Sequence, residues 1–219
     1  MTYFNLHTHR FSNTQNHLEL VNQYPWEFNS AIPQYSIGIH PWYAQLSRLE
    51  NDLAFMNKQL QQKQCWAVGE CGLDKRIALD IEEQKEIFKA QILLAEKHQK
   101  PIILHCVAAF QEIIAIKKEL AVSVPMIIHG FSKNLSIAQQ LLKNGFYLSF
   151  GKYLLRNPEL RTVFEAVPMD CFFLETDTID ESIEEIYALA AHYKKITLQE
   201  LQLQIENNFK MVFQNTTLL

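Results

Sequence analysis

Two five-residue units constrain the fold of this chain more than any other feature. PIILH (101–105) and PMIIH (125–129) each open on proline, continue in an apolar run and end on histidine. Proline is tolerated at the first position of a strand. A short apolar run suits a strand buried on both faces of a parallel sheet. Each unit is followed by a segment of helical period. In VAAFQEIIAIKKEL (107–120), Phe110, Ile113, Ile114 and Leu120 share a face, and in LSIAQQLLKN (135–144) Leu135, Ala138, Leu141 and Leu142 do the same. Gly145 suits the left-handed position that ends the second helix. Upstream, IEEQKEIFKAQILLAEKH (81–98) aligns Ile81, Phe88, Ile92 and Ala95 in one stripe, with its charges mostly outside it.

Further strand candidates are TYFNLH (2–7), YSIGI (35–39), CWAVG (65–69), FYLSF (146–150) and CFFLE (171–175). Strands alternating with helices build a parallel sheet with crossover helices. With about eight strands in a single domain spanning 1–219, a (β/α)8 TIM-type barrel is the leading architecture. A doubly wound sheet comes second, and no GxGxxG loop supports it. The start of the chain fits less well. If HLELVNQY (17–24) is a strand, only nine residues (8–16) link it to the first. A parallel crossover usually needs a dozen or more. Either 17–24 runs antiparallel, or the barrel is abbreviated near its N-terminus, with its first one or two helices shortened or absent. The abbreviated barrel is the expectation.

Composition narrows the class. Hydrophobic residues make up 48% and charged residues 20%, as in soluble globular proteins. A formal net charge of −4 argues against a general nucleic-acid coat protein. The four cysteines, Cys65, Cys71, Cys106 and Cys171, form no CxxC pair and point to free thiols in a reducing compartment. The N-terminus is too polar for a signal peptide, and no apolar run reaches membrane-span length. A cytoplasmic location is expected, with no membrane partner.

In a barrel of this kind chemistry sits at the C-terminal ends of the strands. Those ends carry His7 and His9, His40, Glu70 and Asp74, His105, His129, and Glu175 with Asp177. Residues two apart on a strand point the same way, so His7 and His9 face one cavity and Thr8 turns away. Cys71 and Cys106 adjoin Glu70 and His105 and therefore point elsewhere. That leaves imidazole and carboxylate as the ligand types. A lone HxH pair, or one histidine closing a strand, is commonly core or loop packing, and Asp74 reads as a loop-fixing acceptor. Four histidines and two acids at the ends of five strands form a different pattern. They exceed one zinc site of three protein ligands and water, and suit two divalent cations ~3.5–4 Å apart. Zinc, manganese and magnesium all remain open.

NLHTH, GIHPWY, AVGECGLD, the EEQKEIFKAQILLAEKHQKPIILH run, IIHGFS, FYLSFG and FLETDT follow one another as in the TatD family of metal-dependent hydrolases. The resemblance covers about residues 1–178, and ENNFKMVF looks like the family's last helix. It implies an amidohydrolase-like barrel, two divalent metals and phosphodiester hydrolysis, typically of DNA. By motif it implies His7 and His9 on one metal, Glu70 bridging both and His105 with His129 on the second. It implies that Asp177 binds the first metal and accepts the proton of the attacking water. Catalytic roles thus fall to Asp177 and Glu70.

The chain departs from the pattern at substrate-facing positions. Val107 stands where the family usually has arginine, Lys75 and Arg76 follow GLD in place of aromatic residues, and Ile179 replaces the proline of ETDxP. Lys75, Arg76 and Lys133, with Arg10, Lys152 and Arg156, lie just past strand ends and suggest a basic rim for a phosphate backbone. His40 is a candidate contact to a phosphate or the scissile group. Trp42, Tyr43, Phe131 and Tyr153 either stack a base or pack under loops, the second being slightly favoured. The alternative function is hydrolysis of an amide, lactone or aminoacyl ester at the same binuclear site, since two-metal sites polarise carbonyls as readily as phosphoryls.

Overall fold

The computed structural model describes residues 2–213. Eight strands form one sheet in sequence order: β1 (Tyr3–Thr8), β2 (His17–Gln23), β3 (Tyr35–Ile37), β4 (Cys65–Asp74), β5 (Ile102–Val107), β6 (Met126–Ile128), β7 (Phe146–Phe150) and β8 (Phe172–Leu174). The β1/β2, β3/β4, β4/β5 and β7/β8 pairs run parallel. A parallel bridge between Thr8 and Asp177 joins the first strand to the chain just beyond the last. The helices are α1 (Leu46–Gln59), α2 (Ile81–His98), α3 (Phe110–Glu119), α4 (Leu135–Lys143), α5 (Lys152–Arg156), α6 (Leu160–Ala166), α7 (Ile183–Lys194) and α8 (Leu198–Val212). This is the (β/α)8-type barrel, with no helix in the first two crossovers.

The β1–β2 link is the point where spacing misleads. β2 pairs parallel to β1, with Tyr3 opposite His17, so the antiparallel option is wrong. Residues 9–16 retrace the strand without a helix. β1 is short, and eight extended residues reach ~26 Å, more than the ~17 Å from Thr8 back to the level of Tyr3. Asn13 and Asn16 take left-handed φ values of 53° and 66° in this return, a conformation asparagine tolerates better than most residues.

The chain separates into two compact units. One comprises residues up to Val21 together with those from Ile128 on, and the other Asn22–Ile127. In the first, Phe4 packs edge-on against Phe173, Phe209 and Phe213, with ring centroids 5.9, 4.8 and 5.7 Å away. Side chains reinforce the backbone bonds that Asp177 makes to His7 O and His9 N at the β1/β8 seam. The buried Tyr187 hydroxyl accepts from Phe4 N at 3.1 Å and donates to Phe4 O at 2.9 Å. Asn5 donates to the Thr176 hydroxyl at 2.8 Å and accepts from Thr176 N at 3.0 Å. α7 and α8 each start with a capping box, Ser182 with Glu185 and Thr197 with Glu200.

In the second unit α2 packs on β4. Its apolar stripe buries Ile87, Phe88, Ile92 and Ala95. Two glutamines sit in that stripe, fully satisfied. Gln84 accepts from Asp74 N at 2.8 Å and donates to the carbonyls of Asp74 and Leu79. Gln91 accepts from Ile39 N at 2.7 Å and donates to Ile39 O at 3.2 Å. One helix thus fixes the two loops that carry Asp74 and His40. The helix ends expected at Ile81 and His98 are those observed, and Gly145 takes φ +71° after α4. No helix of the described residues is long and apolar enough to cross a membrane.

Candidate metal centre

Each unit gathers one set of metal-ligating side chains at its strand ends. In the first, His7 and His9 leave β1 on the same side, as a period of two requires, with ring centroids 5.1 Å apart. Thr8 turns away, and its hydroxyl contacts Arg10 O. Asp177 lies beyond β8 and takes a left-handed φ of 56°. That bend separates it from Glu175, so the two acids of ETD do not serve one point. Asp177 Oδ1 faces His7 Nε2 at 3.9 Å and His9 Nε2 at 3.7 Å, while Oδ2 accepts from Lys152 Nζ at 2.7 Å. The His129 ring stands 4.6 Å from that of His7. Glu175 turns to the chain after β6, accepting from Gly130 N at 2.6 Å and lying 3.4 Å from His129 Nδ1.

Burial alone would raise the Asp177 carboxyl, but His7, His129 and Lys152 hold it below the usual carboxylate range. It is therefore an anion near neutral pH, the form a metal binds.

In the second unit β4 delivers Glu70 and Asp74, β5 delivers His105, and the turn after β3 delivers His40. Asn22 accepts from Glu70 N at 2.6 Å and anchors the backbone there. Glu70 Oε1 lies 2.8 Å from His105 Nδ1 and 3.1 Å from His40 Nε2. His40 and His105 approach to 3.2 Å. Gly72 makes the β4/β5 contact possible, since with φ +142° a Cβ would lie 2.1 Å from His105 O. Asp74 is the expected loop-fixing acceptor, taking Arg76 N at 2.8 Å on Oδ1 and Trp42 Nε1 at 2.8 Å on Oδ2. Its Oδ2 is also 3.4 Å from His105 Nε2. Burial would raise this carboxyl, but the Trp42, Arg76 and His105 contacts lower it.

The donor sets fit divalent cations. His7, His129 and Asp177 offer three ligand atoms within 4.8 Å of one another, and His40, Glu70 and His105 offer three more within the same limit. A metal ~2.0–2.2 Å from nitrogen and oxygen donors needs them a little closer together, which small side-chain rotations supply. Two imidazoles to one carboxylate in each set accept zinc, and the mixed nitrogen and oxygen donors also accept manganese or magnesium. Cys71 is buried with its thiol on Ile103 O, and burial pushes its pKa up, so it stays a thiol.

The expected substrate contacts divide. His40 is buried against Glu70 and His105, within one of the candidate metal-holding groups. Lys75 is exposed and tied to Glu112 at 2.5 Å, Arg76 is exposed, and Lys133 is half-buried before α4. Phe131 is core, whereas Trp42, Tyr43 and Tyr153 are exposed, so packing under loops describes only Phe131. Sequence reasoning did not single out the contact from Lys152 to Asp177, or Gln84, Gln91 and Asn22. The two glutamines had a signal: each occupies an apolar-stripe position of α2.

The family model described as TatD related DNase matches residues 2–214. The uncharacterized metal-dependent hydrolase YabD of Bacillus subtilis is 33% identical over 166 residues, 73% of this chain and 62% of its own length. The 3′-5′ ssDNA/RNA exonuclease TatD of Erwinia tasmaniensis is 31% identical over 173 residues, 75% of this chain and 63% of its own. The chain thus spans about three-fifths of the length of these relatives. The crystal structure of YjjV, a TatD homolog from Escherichia coli K12, superposes with a TM-score of 0.81 at 19% identity, covering 97% of this chain and 98% of that one. With this fold and a family match over nearly its whole length, the chain belongs to the TatD related DNase family.

Proposed function

We propose that this protein is a metal-dependent phosphodiesterase that hydrolyses single-stranded nucleic acid with two divalent metals. The observation that carries this reading is the pair of buried or half-buried imidazole–carboxylate clusters, His7, His129 and Asp177 in one and His40, Glu70 and His105 in the other. The relatives named as exonucleases support nucleic acid as the substrate class. Bound metals at these ligands supply Lewis acidity, making water nucleophilic near neutral pH and offsetting charge on phosphoryl oxygens. Following the family motif, His7, His9, His129 and Asp177 of the first unit and Glu70 and His105 of the second would be the residues that hold metal.

The chain's own groups account for the proton movements. Water oxygen attacks phosphorus, one water proton passes to the Asp177 carboxylate, and the P–O bond to the leaving nucleoside breaks. The leaving oxygen takes that proton back from the Asp177 carboxyl, which restores the carboxylate. Lys152 holds Asp177 Oδ2, so Oδ1 stays directed at the imidazoles.

A second reading, hydrolysis of an amide, lactone or aminoacyl ester, is favoured by Val107 and by Lys75 being engaged with Glu112. One assay separates the two. Protein loaded with Mn²⁺ or Zn²⁺ is given single-stranded DNA and RNA and an ester and amide panel, beside Asp177→Ala. Nucleic-acid cleavage abolished in Asp177→Ala is expected. Ester or amide cleavage with intact nucleic acid would establish the second reading instead, and DNA cleavage surviving in the variant would mark a contaminant.

A further inference from the structure

The largest exposed aromatic side chain of the described residues stands beside the His40–Glu70–His105 cluster. Trp42 belongs to a short 3₁₀ turn, Pro41–Tyr43, capped by His40, whose Nδ1 accepts from Trp42 N at 3.1 Å. Its indole Nε1–H donates to Asp74 Oδ2 at 2.8 Å. Both its backbone and its ring edge are therefore bonded to groups that contact His105. Its ring meets those of His40 and His105 edge-on, at 85° and 74°, with centroids 5.1 and 6.0 Å away. Yet Trp42 is 59% exposed and Tyr43 beside it is 47% exposed.

An exposed tryptophan forgoes the burial that its apolar area would otherwise gain. Here the side chain is not loose. A fixed edge and an open face make a rigid surface that orders at little further entropic cost when a flat partner lies on it. The partner chemistry follows from the position. A ligand reaching Glu70 and His105 through a phosphodiester carries a nucleobase one sugar away, and stacking on an aromatic face accepts any base. Tyr43 extends the surface toward the Tyr24–Trp26 pair, which is stacked at 9°.

We propose that Trp42 is a base-stacking platform that makes this site prefer base-bearing phosphodiesters over bare sugar–phosphate backbone. The inference rests on the phosphodiesterase reading and adds a specificity determinant to it. It assigns Trp42 a role through its ring face, distinct from its hydrogen bond to Asp74.

The test compares a single-stranded DNA octamer with an abasic phosphodiester octamer of equal length. In metal-free protein with EDTA, the DNA octamer is expected to quench tryptophan fluorescence and the abasic one is not. Trp42→Ala is expected to remove that quench, since Trp66 is buried and Trp26 lies under Arg48. In the metal-loaded enzyme, the ratio of kcat/KM for DNA to that for the abasic octamer should fall about tenfold or more in Trp42→Ala, mainly through KM. Trp42→Phe keeps a ring face without the indole donor and should retain most of the ratio. Equal losses on both octamers, or Trp42→Phe behaving as Trp42→Ala, would assign Trp42 to positioning Asp74 and overturn the proposal. Cleavage without base-dependent quenching overturns the platform alone. Base-dependent quenching without cleavage of any phosphodiester overturns the activity and keeps the platform. Absence of both overturns both.

Discussion

Lys152 Nζ donates to Asp177 Oδ2 at 2.7 Å, leaving Oδ1 turned toward His7 and His9. One carboxylate is shared between an ammonium and a pair of imidazoles. Lys152 opens α5, directly after β7, and is about a quarter exposed. Its charge helps keep Asp177 ionised. It also places a cation next to any metal that Asp177 would hold.

Replacing Lys152 by methionine removes that neighbouring cation. A lysine charge and a divalent ion ~5 Å apart at an effective dielectric of ~20 repel by ~7 kcal/mol, and partial exposure and screening reduce this to about 1 kcal/mol. Lys152→Met is therefore expected to bind Mn²⁺ about fivefold more tightly by calorimetry, with Lys152→Arg close to wild type. Unchanged or weaker binding in Lys152→Met would show that its orienting role outweighs its charge.

The proposed ligands make a metal-content prediction. His7→Ala and His129→Ala should each weaken metal binding by about a hundredfold or more, since even groups that only orient ligands are worth ~10–100-fold. His192, exposed on α7, supplies the control, and His192→Ala should load as wild type. Metal analysis after incubation with Zn²⁺ or Mn²⁺ and gel filtration reads the outcome. Unchanged content in both site variants would rule out these ligands.

At the β1/β8 seam, Tyr187→Phe deletes a hydroxyl that satisfies both backbone groups of Phe4. Buried peptide groups left without partners cost ~1–3 kcal/mol. Urea denaturation should show a loss of that size with unchanged slope. A loss below about 0.5 kcal/mol would mean that Phe4 finds other partners in the variant.

Stability near the α3–β6 loop should depend on pH through Glu96. Burial would raise its carboxyl, but the N–H groups of Val124 and Ser123, the Ser123 hydroxyl and Lys117 together lower it. A carboxyl whose folded pKa is depressed contributes stability that is present above its unfolded pKa and lost as pH falls through the folded one. Glu96→Gln should thus cost about 1–3 kcal/mol at pH 7, with the difference from wild type shrinking on acidification below the ordinary glutamate range. A difference independent of pH from 7 to 3 would contradict this.

Elements whose signal is local could be read from the residues alone. Period two placed His7 and His9 on one side of β1, and period 3.6 marked out α2 from Ile81 to His98. His105 and His129 lie at the ends of their strands as the residues suggested, and each lies among the candidate metal-holding groups, because side-chain direction follows from a residue's place in its own strand. The abbreviated start was legible from the nine-residue link between the first two strands, although that spacing left the direction of β2 open.

Which distant groups meet depends on the folded chain. Phe131 and Trp42 both follow strand ends, yet one is core and the other exposed. Lys75 and Lys152 both looked like rim cations, yet one is held by Glu112 and the other reaches Asp177. Asn5 and Thr176 bond across 171 residues, and Phe4 and Tyr187 across 183. Local periodicity fixes the direction of a side chain, but its partner depends on how the sheet brings remote strands together, and no short stretch of sequence encodes that.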